Sequence, residues 1–308
     1  MPGEKGNLQK ILEQGAFSVS AEIGPPMGAD ASVVIKKAQE LKGVVDAANI
    51  TDNQTAVVRM SSIAASYLSS MNGVEPVVQM TCRDRNRIAI QSDLLGAYAL
   101  GLKNLLVLSG DHQSFGNHPQ SKNVFDVDSI QLLYSLRKMK EEGVFMGGSK
   151  CKSPAEFFLG ATVNPFADPE ELQMIRLRKK INAGAQFVQT QAIYDVAKFA
   201  EWMEKVRGLG LHKKAYILAG IVVNKSLKSI EMTQIVPGML VPCELVERMR
   251  AAGPGNYDSE GVGIALDLIE EIRKIEGVSG IHIMAIGWES IVPTLVARAG
   301  LLPRPAIE

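Results

Sequence analysis

Short runs in which apolar residues alternate with small or polar ones recur along the chain, separated by longer stretches with apolar residues at every third or fourth position. The first period belongs to strands and the second to amphipathic helices. Eight strands are expected, at 17–23, 46–51, 76–82, 104–109, 157–163, 186–191, 215–221 and 280–286. Helices are expected between them at 31–41, 56–68, 86–101, 128–143, 168–185 and 195–210, then over an extended stretch at 226–275 and finally at 289–300. Several of these end at glycine, which supplies a left-handed C-cap. Asp168, followed by Pro169 and Glu170, reads as a helix start with an N-cap side chain and proline at the first helical position.

Eight strand–helix units of roughly 35 residues are the arithmetic of a (β/α)₈ TIM barrel in an α/β chain. The near-continuous apolar strands suit a parallel sheet covered by helices, with a doubly wound open sheet as the alternative. No Pro/Ser-rich linker or composition break divides the sequence, so one barrel over 1–308 with a short N-terminal extension is the expected organisation.

In such barrels the chemistry sits where strands end at their C-terminal side. The first exit, "SAEIGPP" at 20–26, closes an alternating run on Glu22 and follows it with glycine and two prolines, which cannot continue a ladder. Further exits carry Thr51, Asp52 and Asn53; Thr81, Arg83 and Asp84; Ser109, Gly110 and Asp111; Thr162 and Asn164; Gln191; Asn224; and Trp288 with Glu289. Loops are polar anyway. Gln79, Gln189 and Gln191 are different, because they interrupt otherwise apolar strands.

Composition narrows the function. Lys plus Arg and Asp plus Glu both total 33, which leaves no field to attract nucleic acid or an anionic membrane. Three cysteines, Cys82, Cys151 and Cys243, lie far apart without CxxC spacing and fit a reducing compartment. The N-terminus lacks a signal-peptide pattern and no segment approaches a membrane span, so a cytoplasmic protein is expected. No metal site is expected: His112 and His118 lie six apart, His212 and His282 stand alone, and no paired-histidine motif occurs. GxGxxG, P-loop and GxSxG patterns are absent too. Lys180 and Lys225 are available for Schiff-base chemistry, although Lys180 lies in a helical pattern. Glu22 and Asp111, at the first and fourth exits, are a candidate acid/base pair.

"SAEIGPP", "NITDNQ", "VVQMTCRD", "LVLSGD", "RKKINAGAQFVQTQAIYD" and "GIHIMAI" follow one another in an order and spacing that resembles methylenetetrahydrofolate reductase of the bacterial flavoprotein type, over nearly the whole chain. The resemblance implies a barrel that carries noncovalent flavin, FAD or FMN, and reduces 5,10-methylenetetrahydrofolate to 5-methyltetrahydrofolate by hydride transfer from flavin N5. It implies that Glu22 is the general acid opening the methylene bridge, and burial against apolar walls and flavin favours the neutral carboxyl group that this requires. It assigns Asp111 to the pterin and flavin, Gln191 to substrate, and Thr51, Gln79, Ser109, Gly110, Ala161, Thr162 and Lys180 to flavin, with Lys180 directed at phosphate. The regulatory domain of eukaryotic members is not expected.

Some positions depart from the family pattern. Ser109 stands where arginine is usual, Gln79 where histidine is frequent, Thr162 where tyrosine is expected, and Leu227 where an aromatic substrate-contacting residue is expected. These departures leave FAD and FMN both open, and they direct the expected electron source from NAD(P)H toward a redox partner subunit in an oligomer or hetero-complex, as in the acetogen branch. Two further readings stay open: a pterin-binding methyltransferase barrel without flavin, and a noncatalytic flavin-bearing electron-transfer subunit.

Overall fold

Strands β1 (Ser18–Ile23), β2 (Ala47–Ile50), β3 (Pro76–Thr81), β4 (Asn104–Leu108), β5 (Phe158–Val163), β6 (Phe187–Ala192), β7 (Tyr216–Val222) and β8 (Val278–Met284) pair in parallel and in chain order. β8 returns to β1 with His282 level with Ser20, which closes the barrel and excludes the open sheet. This computed structural model describes residues 4–236 and 238–307. Positions 1–3, 237 and 308, included in the expected spans 1–308 and 226–275, lie outside the described residues. Every expected strand is found within two residues of its expected ends.

Alternation sorts the strand residues into two environments. Val19, Ala21, Ile23, Ala48, Ile50, Ile217, Ala219 and Ile281 point outward into a core shared with the surrounding helices. Val78, Met80, Leu105 and Val107 do the same in a neighbouring cluster. The inward set is layered. Ala47, Val77, Leu106, Phe158, Phe187 and Leu218 make an apolar floor with Leu8 and Leu12 of the N-terminal helix α1 (Asn7–Glu13). Two residues further along the strands, the interior turns polar: Asn49 of β2 and Gln189 of β6 exchange amide hydrogen bonds across the barrel at 2.6 and 3.2 Å. Polar side chains therefore interrupt the apolar strands where the closed barrel changes from floor to mouth. Gly160 belongs to this packing, since a Cβ there would stand 2.2 Å from the Phe187 ring.

α1 closes the base. Its first amides donate to half-buried Glu75, Leu8 N–H at 2.9 Å, and the Asn104 amide adds a contact at 2.7 Å. Burial pushes the Glu75 carboxyl up, against the opposing pull of these donors.

The remaining helices are α2 (Ala31–Leu41), α3 (Ser62–Met71), α4 (Arg87–Ala99), α5 (Ser129–Glu142), α6 (Glu170–Ala183), α7 (Val196–Gly208), α8 (Leu227–Gln234), α9 (Cys243–Ala252), α10 (Tyr257–Ile272) and α11 (Val292–Arg298). Side-chain caps start several of them. Asp30 and Asn86 cap α2 and α4, Asp128 forms a capping box with Gln131, and Asp195 accepts from Lys198 N–H at 2.9 Å. Asp195→Ala is expected to lower stability by about 1 kcal/mol. A lower denaturation midpoint at unchanged denaturant slope would show it.

Three helix expectations need correction. The stretch expected to be helical from 56 begins at Ser62, because Asn53 Oδ1, the Pro26 carbonyl and Asn117 Oδ1 take the N–H groups of Arg59, Met60 and Val58. Asp168 does not cap α6: extended Pro169 is the N-cap residue and makes no side-chain cap bond. The stretch at 226–275 resolves into α8, α9 and α10, with Pro242 at the N-cap of α9 and Gly253 at its C-cap.

Candidate active site

Salt-bridged and hydrogen-bonded side chains fix the strand exits before any ligand is considered. Buried Asp52, after β2, accepts Thr81 N–H and Thr81 Oγ1–H at 2.9 Å each and both arms of Arg85 at 2.7 and 3.1 Å. Arg83 is also buried and pairs with Asp84, while donating to the carbonyls of Asp111 at 2.9 Å and Asn53 at 3.2 Å. Bidentate guanidinium contacts of this kind hold planar geometry. They tie the exits of β2, β3 and β4 into one rigid rim.

Residues 53–56 pass through this rim in an unusual conformation. Asn53, Thr55 and Ala56 adopt φ of 45°, 55° and 58° without a glycine among them. Left-handed backbone at such residues costs on the order of 1–3 kcal/mol each and persists only where the surroundings enforce it. Here Arg83 holds the Asn53 carbonyl, and Gly116 lies so close over Ala56 that a Cβ would meet its carbonyl oxygen at 1.8 Å. The segment touches both candidate carboxylates. Gln54 Nε2 donates to Glu22 Oε1 at 3.2 Å, and Thr55 N–H donates to Asp111 Oδ2 at 3.1 Å.

Glu22 has a second neighbour. Its Oε2 lies 3.9 Å from His282 Nε2, and His282 Nδ1 lies 3.0 Å from Ser20 Oγ. Ser20 donates its hydroxyl proton to the Ile281 carbonyl at 3.3 Å, so its oxygen accepts from His282 Nδ1–H and the other ring nitrogen faces the carboxylate. This line from Ser20 through His282 to Glu22 joins β1 to β8 at the mouth.

A cavity of about 380 Å³ opens between the exits of β2 through β6, lined by Gln54, Gln79, Thr81, Gly110, Asp111 and Gln191 and, from α6, by Arg176 and Lys180. Arg176 and Lys180 make no ion pair among the described residues. The Lys180 ammonium is held by the Thr162 carbonyl at 2.6 Å, and burial together with neighbouring Arg176 pushes it down to about 8. Two cations without a carboxylate partner favour an anionic ligand here. Thr51 Oγ1, at the β2 exit, is buried without a partner.

The sequence model of the family described as methylenetetrahydrofolate reductase matches residues 7–300. The chain belongs to the methylenetetrahydrofolate reductase family. Methylenetetrahydrofolate reductase 1 of Schizosaccharomyces pombe is 26% identical over 74% of this chain and 36% of its own length. The 5,10-methylenetetrahydrofolate reductases of Pectobacterium carotovorum and Escherichia coli are 23% and 21% identical, over 96% and 95% of this chain and 94% and 96% of theirs. The chain thus spans little more than a third of the fission-yeast relative and nearly all of the bacterial ones. Among solved structures, a Clostridium thermocellum protein described as binding two copies of 5-methyl-5,6,7,8-tetrahydrofolic acid superposes with a TM-score of 0.64 at 12% identity, over 96% of this chain and 98% of that one. That likeness carries the fold.

Within this barrel, Gln79, Ser109, Gly110, Asp111, Thr162, Lys180 and Gln191 come together around the cavity. Thr51 and Glu22 lie beside it, Glu22 through Gln54. Two assigned residues stand elsewhere. The Ala161 side chain is wholly buried in the outer core, which leaves only its backbone available to a ligand. Leu227 opens α8 and packs against the outer core, outside the cavity lining. Ser20, Gln54 and Arg176 were not singled out by the sequence, and His282 was noted only as a lone histidine; closure of β8 onto β1 is what brings His282 to Ser20.

Proposed function

We propose that this chain reduces 5,10-methylenetetrahydrofolate to 5-methyltetrahydrofolate with a noncovalently bound flavin, FAD or FMN. One observation carries the reading: a single cavity is lined by two cations without carboxylate partners and by Asp111 and Gln54, the latter reaching Glu22. Flavin, when bound, supplies the hydride. The residues present suit it. Lys180 and Arg176 match its phosphate, the unpartnered Thr51 hydroxyl is a free hydrogen-bonding group, and Gly110, at φ 90°, lets backbone approach a flat ring closely. A Cβ at Gly110 would lie 3.1 Å from both Thr81 and Arg83 side chains.

The chain's own chemistry follows from its two carboxylates. Asp111, exposed on its free side, accepts hydrogen bonds from the amino group and ring N–H of a pterin. Gln191 lines the same cavity and contacts substrate. Glu22 donates a proton to the bridging nitrogen that leaves when the methylene bridge opens, producing an electrophilic iminium on the folate. Glu22 takes its next proton from solvent, and His282, backed by Ser20, stands 3.9 Å away as its polar neighbour on β8.

The test is direct. Purified protein should show flavin absorbance and should consume methylenetetrahydrofolate with a reduced viologen dye. Colourless protein that still binds folate would support a methyltransferase barrel, and yellow protein without turnover would support an electron-relay subunit.

For the electron source we propose a redox partner subunit, on the strength of Ser109, which lines the cavity at a position where the resemblance implies arginine. NADH alone is expected to bleach the anaerobic flavin slowly and incompletely. Fast stoichiometric bleaching by NADH would assign reduction to the isolated chain. The three thiols are unpaired, which supports placement in the reducing cytoplasm.

A further inference from the structure

Gln54 lines the cavity, and Glu22, just outside that lining, accepts a hydrogen bond from the Gln54 amide. The residues flanking Gln54 are held in left-handed backbone by contacts that have nothing to do with the Gln54 side chain: the Arg83 guanidinium on the Asn53 carbonyl, Asn53 Oδ1 on Arg59 N–H, and Asp111 on Thr55 N–H. Backbone enforced in this way aims one side chain, and the one it aims is an amide at 3.2 Å from the proposed acid. An amide has properties that a cation or a hydroxyl in its place would lack. It donates through Nε2 to a carboxylate and, turned over, accepts through Oε1 from a carboxylic acid.

We propose that Gln54 is a positioning residue for the proton-transfer step, holding Glu22 in one orientation through both of its protonation states. The inference rests on the assignment of Glu22 as general acid. In the ionised state the Gln54 N–H is donated to Glu22 Oε1, as observed. After Glu22 takes up a proton, its O–H is donated to the turned amide until a folate nitrogen arrives to receive it. No atom is exchanged with Gln54, and the transferred proton passes from Glu22 Oε to nitrogen alone.

Other charges around Glu22 are fixed by partners of their own. His282 of β8 is the near one, at 3.9 Å. Lys37 of α2 binds the Gly24 carbonyl and Glu289 after β8, and Arg59 binds the Pro25 carbonyl. None of these depends on Gln54, so a Gln54 substitution changes the acid's immediate partner and leaves the surrounding charges in place.

The experiment compares wild type, Gln54→Met and Glu22→Gln as flavin-loaded proteins. The Met variant keeps the length of the arm and removes the hydrogen bond. It should keep its flavin content, its thermal midpoint and its affinity for 5-methyltetrahydrofolate within about twofold, while oxidation of its reduced flavin by saturating methylenetetrahydrofolate slows about tenfold, the usual effect of one lost hydrogen bond. Gln54→Asn, one methylene too short to reach, is the second variant and should behave alike if the Met side chain disturbs folding. An unchanged rate in both variants, with Glu22→Gln severely slowed, would overturn the role of Gln54 alone. Unchanged rates in all three would instead overturn the assignment of Glu22 beneath it.

Discussion

Glu22→Gln is expected to slow the folate half-reaction by roughly 10²- to 10⁴-fold, the range that general acid catalysis supplies, while leaving reduction of the flavin by its donor within a few-fold of wild type. The amide is nearly isosteric with the carboxyl and keeps a partner for Gln54, so fold and flavin content should survive. It carries no transferable proton. Opening the methylene bridge needs one and flavin reduction does not, so the two half-reactions should separate cleanly in stopped-flow traces of the same preparation. If folate oxidises the reduced mutant at near wild-type rate, Glu22 is a loop carboxylate and the proton comes from elsewhere.

Lys180→Met should raise the flavin dissociation constant by about 10- to 100-fold, since hydrogen bonds to charged groups contribute about 1.5–3 kcal/mol. Arg176 remains to hold part of the phosphate. The pH dependence makes this prediction specific. Lys180 titrates at about 8 in the ligand-free fold, against 10.5 ordinarily. Between these values the unfolded chain binds more protons than the folded one, so ligand-free wild-type protein should gain stability as pH rises from 8 toward 10.5. Flavin affinity should fall over the same interval because the ammonium that meets phosphate is lost. Lys180→Met should show neither trend. Equal flavin retention in wild type and mutant across this range would return Lys180 to a helix cation without a ligand.

The strands were legible because large aliphatic residues fall on one face of each, and outward residues such as Val19, Ala21 and Ile23 keep the period through to the exit. Glu22 was legible for the opposite reason: a charge ends that pattern where proline stops the strand. The partners of Glu22 were not. His282 and Ser20 are 262 residues apart and meet only because β8 returns to β1. Gln54 lies just before the stretch expected to be helical from 56, and the left-handed turn at 53–56 uses no glycine to announce itself. The departures from the family pattern were visible, but their weight was not. Leu227, which had seemed a lost substrate contact, lies in a different environment from the cavity.

The stopper at the base of the barrel sets an order of assembly. α1 rests on floor residues drawn from β2, β3, β4, β5, β6 and β7, so the seat that receives it is complete only when most of the chain has been synthesised and wrapped. The helix therefore reaches its final contacts only after the strands that follow it in the chain are in place. A fluorophore attached near residue 10 would report the end of refolding, and trimming the first helix would leave a closed ring of strands with an oily well open to water on the side opposite its chemistry.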